Sequence, residues 1–371
     1  MLEFLNLEPE TFGLDINDLS LKVVKLKKKF GVLKLASFGE SEMPKGIIKD
    51  GVIKNEDELV KNIKKTLDSV KGEKLKTKYV VASLPEEKAF SQVIAMPRMK
   101  REELESAVPF EAENHIPLPS DQVYLDFKEI NSVASQSEHL DVLVVAAEKS
   151  LVDSYVSALK KASLTPIALE PETQAIVRVL IKNQTSSAPV AIMDFGGDNA
   201  DFIIFSGGSV RLTSSISASS REITYAISEN LGINLREAEH MKIKYGFSFD
   251  KANHRSKAVS KAIAPILKNL VEEAQKHIDF YSDHDFHEHT FKKDDKNKKI
   301  GKLILSGGAA NLKGLDEFLQ KNLNLAVEFG DPWINFPKTL KNSIPLELKS
   351  KSLFFSTAIG LAVKGAAGEH E

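Results

Sequence analysis

The chain reads as an α/β protein of two lobes, and three observations predict it. Phe12–Leu26 and Val190–Gly208 share one pattern: an apolar strand carries a carboxylate, Asp15 or Asp194, into a short turn and out into a second apolar strand. The two copies lie about half the chain apart, and an internal repeat of this kind marks a two-lobed fold with a site between the lobes. A third stretch runs from the strand Leu303-Ile304-Leu305 through Ser306-Gly307-Gly308-Ala309 and Asn311 to a helix around Leu315–Leu323. In open α/β sheets, ligands gather outside the carboxyl ends of such strands.

The turn residues carry the chemistry. Gly196 and Gly197 allow positive φ and a bare backbone, so N–H groups can close around an anion. Asp194 ends its strand where Mg²⁺ can be held through water, since Mg²⁺ keeps much of its hydration shell. Asn17 and Asp18 form the tip of the first turn, and Asn tolerates the left-handed conformation. Read alone, that stretch is a plain hairpin with a turn-forming Asn-Asp pair, and only the second copy at Asp194 makes it more.

Composition narrows the classes. With 371 residues the chain is too long for one ordinary core. Apolar residues make up 42% and charged residues 27%, as in soluble globular proteins. The net charge of −2 gives no electrostatic case for nucleic acid. Cys is absent, which excludes disulfides, thiol catalysis and Cys-ligated zinc and suits a reducing cytoplasm. The N-terminus has no basic region ahead of a long apolar run, so no signal peptide is expected, and no apolar run is long enough to span a bilayer.

The remaining elements follow in order. Asn55 caps a helix with an acidic first turn, and Leu59, Ile63 and Leu67 face a core. Lys78–Leu84 is a buried-type strand. Residues 85–165 change character. Phe90–Met96, Val123–Ile130 and Leu140–Ala147 read as strands, Arg101–His115 as a helix that Pro109 kinks or divides, and Ser150 as a helix cap. Glu172–Asn183 is helical. Val210–Ser217 is a strand, followed by helices Arg221–Leu231 and Leu235–Tyr245. On the latter, Glu239 and Lys242 share a face, which by spacing alone is a surface pair. Lys257–Tyr281 is a long amphipathic helix interrupted early by Pro265. His284, His287 and His289 stand in a charged stretch without an apolar scaffold, read as a loop. Phe354–Lys364 is a helix whose Ala358, Gly360 and Ala362 permit close packing.

Taken together, the Asp15 hairpin, Asp194-Phe-Gly-Gly, Leu305-Ser-Gly-Gly and Ala358-Ile-Gly-Leu-Ala resemble, in that order, the actin-like ATPase superfamily. Arg236-Glu-Ala-Glu-His-Met-Lys-Ile-Lys-Tyr-Gly246 resembles a segment shared by FtsA and PilM proteins. Glu111-Ala-Glu-Asn-His-Ile-Pro-Leu-Pro119 and Ala168-Leu-Glu-Pro-Glu-Thr-Gln-Ala175 are similar to the PilM pattern. The resemblance implies a duplicated ribonuclease-H-like fold with an inserted α+β subdomain. Its parts would be 1–84, 166–188 and 350–371 (1A), 85–165 (the insertion, 1C), 189–228 and 300–349 (2A), and 229–299 (2B).

The resemblance further implies ATP or ADP with Mg²⁺. The nucleotide contacts would be Asp15, Asn17, Asp18, Ser20, Lys22, Asp194, Gly196, Gly197, Asn199, Glu239, Lys242, Gly307, Gly308, Ala309 and Asn311. Asp15 and Asp194 would serve the metal, and Glu239 and Lys242 would lie near ribose and base. Partners would be the cytoplasmic N-terminal tail of a PilN-like membrane protein, held in a groove involving the first lobe and the insertion, and then other pilus platform proteins and motor ATPases. The chain would be cytoplasmic and reach the inner membrane only through these partners. Two departures stand out: Asn17-Asp18-Leu19 where the family has Gly and small residues, and Ser219-Ser220 where it has a Gly pair. The extra carboxylate of Asp18 is expected to repel phosphate unless Mg²⁺ or Lys22 compensates. With no water-positioning residue evident, ATP turnover is expected to be weak or absent. Other readings are an FtsA-like division adaptor, for which the tail lacks a lipid-binding apolar face, and a phosphotransferase, for which no substrate base is evident.

Overall fold

The computed structural model describes residues 9–29, 32–130, 139–247, 253–283 and 299–368. It divides into two compact units. The first comprises Met1–Glu129, His139–Gln184 and Asp331–Glu371, and the second Ile130–Glu138 and Thr185–Gly330.

Each unit has one large sheet, and the two large sheets share an order. In the first unit it is Val32–Glu42, Ser20–Lys29, Thr11–Ile16, Tyr79–Leu84, Thr165–Pro171, with the short strand Lys71–Gly72 added beside Val32–Glu42. In the second it is Ser209–Ile216, Ala200–Ser206, Val190–Phe195, Lys302–Ser306, Ala326–Phe329. In both, the first three strands are antiparallel and the last two join in parallel. The repeat read from the two Asp-bearing stretches is therefore a repeat of topology.

The first sheet is buried because both faces are covered. Helices Glu56–Asp68 and Lys149–Lys161 pack on one side with Phe12, Leu14, Val80, Ile63, Tyr155 and Leu159 in one apolar cluster. Helix Ser356–Ala367 packs against Thr11–Ile16 and Glu172–Leu180. Small residues make this contact possible: a Cβ on Gly13 would stand 2.5 Å from the Ala358 oxygen, and one on Gly360 2.1 Å from the Ala175 oxygen. The expected close packing at Gly360 is thus present. Residues of the 85–165 stretch form a second cluster, with Ile94, Leu104, Val108, Val123, Val142 and Val144 on a sheet ordered Ala89–Pro97, His139–Glu148, Val123–Ile130.

Some elements differ from the sequence reading. Pro109 lies within one helix, Arg101–Ala112, rather than dividing it. His254–Asp283 likewise runs through Pro265 as one helix. Its buried stripe of Val259, Ile263, Leu267, Leu270 and Ala274 extends to both sides of the proline, and that packing offsets a proline cost of ~3 kcal/mol. Ser150 does not cap: its helix begins at Lys149 directly after the strand ending at Glu148, and the Ser150 hydroxyl donates to the Glu148 carboxylate. Glu172–Leu180 is shorter than expected. The last helix runs past the expected Lys364 to Ala367, with Gly365 packed on Thr11. The stretch bearing His284, His287 and His289 lies outside the described residues. Among the described residues, no helix is long and apolar enough to cross a membrane.

Candidate functional site: two related turns

The two Asp-bearing hairpins superpose by register. Ile16 faces Leu21 and Phe195 faces Ala200, so Asn17, Asp18, Leu19 and Ser20 correspond to Gly196, Gly197, Asp198 and Asn199. Each turn closes with the same backbone bond: Asn17 N–H to the Ser20 oxygen at 3.1 Å, and Gly196 N–H to the Asn199 oxygen at 2.9 Å.

The first turn satisfies itself. The Asn17 side-chain oxygen accepts from Leu19 N–H at 3.1 Å, Ser20 N–H at 2.9 Å and the Ser20 hydroxyl at 3.2 Å. Asp18 turns to another loop, where its carboxylate accepts from Asp50 N–H at 2.6 Å and Gly51 N–H at 3.1 Å. Behind the turn, Asp15 stands opposite Lys22 in register. The Lys22 ammonium lies 2.7 Å from Asp15, in a pair that is almost wholly buried. Ser83 donates to Asp15 at 3.3 Å and accepts from Ile16 N–H at 2.8 Å.

The second turn is built differently. Asp194 stands opposite Asp201 on one side and Ser306 on the other. Ser215 donates to Asp201 at 2.9 Å, and the Asn199 amide donates to Ser215 at 2.9 Å. The glycine tip is anchored through its carbonyls: Ser220 N–H bonds the Gly196 oxygen at 3.2 Å and Arg221 N–H the Gly197 oxygen at 3.1 Å. Arg221 pairs with Asp198. The Gly307 turn presses onto this strand end. Gly307 has φ +85°, and a Cβ there would stand 2.3 Å from the Phe195 oxygen, so only glycine fits. Gly308–Asn311, which includes Ala309, follows as one tight helical turn.

Glu239 and Lys242 are more than a surface pair. Lys242 is buried and donates to Glu239 at 2.7 Å, the Ser220 hydroxyl at 2.6 Å and the Thr224 hydroxyl at 2.9 Å. It thereby ties helix Leu235–Tyr245 to helix Ser220–Leu231. Burial pushes its ammonium below the ordinary lysine value, against the opposing pull of Glu239. Ser219, one of the two serines at the departure from the Gly pair, caps the helix by accepting from Glu222 N–H at 3.1 Å. Glu239 stays half-exposed beside this cluster.

Sequence reasoning missed Ser83, Thr224, Asp201 and the Asp50–Gly51 loop. Asp201 was legible in principle, since it follows Asp194 at the offset by which Lys22 follows Asp15. The others come from distant elements and carry no local signal. Among the described residues, no three His, Asp or Glu side chains gather in a metal-holding group.

Comparison with known proteins places this geometry. The family described as type IV pilus assembly protein PilM matches residues 13–366. A solved PilM-PilN type IV pilus biogenesis complex is similar in fold, at TM-score 0.80 and 24% identity, over 97% of this chain and 99% of that one. MreB5 of Spiroplasma citri bound to ADP is similar at TM-score 0.51 and 11% identity, over 95% of each chain. Among curated relatives, the cell division protein FtsA of Neisseria meningitidis serogroup B is 25% identical over 234 residues, 59% of this chain and 53% of that protein. FtsA of Helicobacter pylori strain J99 is 25% identical over 267 residues, 66% of this chain and 51% of that protein. The chain thus spans about half the length of the FtsA relatives it matches. The fold is that of the actin-like ATPases, and the chain belongs to the type IV pilus assembly protein PilM family.

Proposed function

We propose that the protein is a scaffold of type IV pilus assembly that binds the N-terminal tail of a PilN-like membrane protein and carries an adenine nucleotide. The family match across residues 13–366 carries this reading. The fold likeness to a solved PilM-PilN complex supports the partner, and the likeness to ADP-bound MreB5 supports the nucleotide. Other platform proteins and pilus motor ATPases would act through the scaffold, which would meet the inner membrane from the cytoplasm through its partners.

The second unit suits the nucleotide. Gly196, Gly197, Gly307 and Gly308 bring bare backbone to the carboxyl ends of two parallel strands. In this reading they approach phosphate with Asn199, Ala309 and Asn311, while Glu239 and Lys242 flank the nucleoside. Asp194, in register with Asp201, offers oxygen donors to Mg²⁺ through water. When bound, the metal would neutralise phosphate charge. The first unit suits it less well, because Asp15 already has Lys22 as its cation and the Leu19 and Ser20 amides already donate to Asn17. Turnover is accordingly weak, and the nucleotide acts as a ligand of the scaffold.

Two titrations test this. Calorimetry with Mg-ATP should show binding to the wild type and its loss in Asp194→Ala. A synthetic PilN-like tail peptide should bind the same protein. Failure of the peptide to bind would overturn the scaffold reading, and failure of both ATP and ADP would overturn the nucleotide reading.

A further inference from the structure

The two turns are duplicates that diverge where an anion would sit. The second carries Gly196-Gly197, while the first carries Asn17-Asp18 at the same register positions. In the first, one carboxamide oxygen caps two successive amides and a hydroxyl. Such capping is what a bound anion would otherwise do for a turn of exposed N–H groups.

Asp18 extends the pattern. It does not project freely into solvent as an unopposed charge. Its two oxygens take the successive amides of Asp50 and Gly51, at 2.6 and 3.1 Å. Those residues, with φ +51° and +73°, are the two-residue turn of the hairpin Ile48–Lys49 to Val52–Ile53, and their two N–H groups together cradle the Asp18 carboxylate. The occupant of this cradle is the chain's own carboxylate. The loop is fixed from behind as well, since the buried Tyr155 hydroxyl donates to the Gly51 oxygen at 2.9 Å. The surroundings are electronegative. Burial, with Asp18 and Asp50 adding to it, holds the nearby Glu87 carboxyl above its ordinary value.

We propose that the Asn17 carboxamide oxygen and the Asp18 carboxylate stand in for a bound anion in the first unit, closing its turn to phosphate, so that nucleotide phosphates are held by the second unit's turn alone. The ligand in this inference rests on the nucleotide reading above. The consequence is regulatory. A ligand shifts a conformational equilibrium only through differential affinity for the two states. A nucleotide gripped by one unit has the same contacts however the units are arranged. ATP and ADP would then stabilise the scaffold without switching it.

The test pairs hydrogen exchange with titration on the full chain. In the wild type without nucleotide, the amides of Leu19, Ser20, Asp50 and Gly51 should be protected, and Mg-ATP should leave them unchanged. Asn17→Gly should release Leu19 and Ser20 while leaving Asp50 and Gly51 protected. ATP and ADP should bind the wild type alike, and the double variant Asn17→Gly, Asp18→Gly should bind ATP ~10-fold tighter, as expected for charge-assisted bonds to newly available amides. Fast exchange of Leu19 and Ser20 in the wild type would overturn the inference, as would their further protection by ATP. So would unchanged ATP affinity in a folded double variant. If no nucleotide binds any variant, the nucleotide reading fails, and the exchange data alone decide whether the turn is self-capped.

Discussion

Lys22 holds its ammonium 2.7 Å from the Asp15 carboxylate, directly opposite it in register and almost sealed from water. The Phe354 ring lies 4.4 Å from the same ammonium. Removing one partner would leave a buried charge uncompensated. Lys22→Met should cost ~3–5 kcal/mol, and Asp15→Asn combined with Lys22→Met should recover much of that loss. Urea unfolding of the two variants measures both. A single variant as stable as the wild type would show that the pair is not the turn's internal support.

Gly360 should be intolerant of any side chain. Its missing Cβ would stand 2.1 Å from a backbone oxygen of Ala175, which cannot move without shifting helix Glu172–Leu180. Gly360→Ala should destabilise by at least the ~1–3 kcal/mol of ordinary overpacking. The midpoint of denaturant unfolding reports it, and a neutral result would mean that the two helices separate freely.

Glu170 gives the first unit an acid-sensitive support. Burial alone would raise its carboxyl, but Arg178, whose Nη2 donates at 2.8 Å, and Lys364, at 3.0 Å, outweigh burial and hold it below the usual 4.5. The unfolded chain therefore takes up this proton first as pH falls. The contribution to stability is full above the unfolded value and is lost as pH drops through the lower folded value. Glu170→Gln should cost ~3 kcal/mol at neutral pH and make stability fall less steeply below pH ~4.5. Stability measured from pH 7 down to 3 checks both, and parallel acid limbs would refute the assignment.

Asn55 accepts from Glu58 N–H at 3.2 Å and starts helix Glu56–Asp68. Asn55→Ala should cost ~1 kcal/mol, with Asn55→Asp close to the wild type. Thermal melts of the two variants distinguish a cap from an incidental contact, for which both would behave alike.

Much of the fold was legible because its signals are local. Alternating apolar runs ending in Asp15 and Asp194 marked both hairpins, and Leu235–Tyr245 and Leu315–Leu323 emerged with the expected bounds. A division at Pro109 and an interruption at Pro265 did not occur, because proline's cost is local, whereas the packing that overrides it comes from elsewhere in the chain. The Glu239–Lys242 spacing was correct for one helix face. Whether that face met water or helix Ser220–Leu231 was not encoded in the spacing.

The sequence by itself determined the repeated strand–Asp–turn–strand plan and the family, because periodicity and turn chemistry act between near neighbours; the positive φ it allowed at Gly196 and Gly197 is found instead at Gly307. Only the tertiary structure decided what the charges do. Asp15 is balanced by Lys22, Asp18 rests on the Asp50–Gly51 amides, and Lys242 is buried among Ser220, Thr224 and Glu239. The physical reason is range. A charge takes its role from whatever the fold brings within a few ångströms of it, and those neighbours can come from any part of the chain.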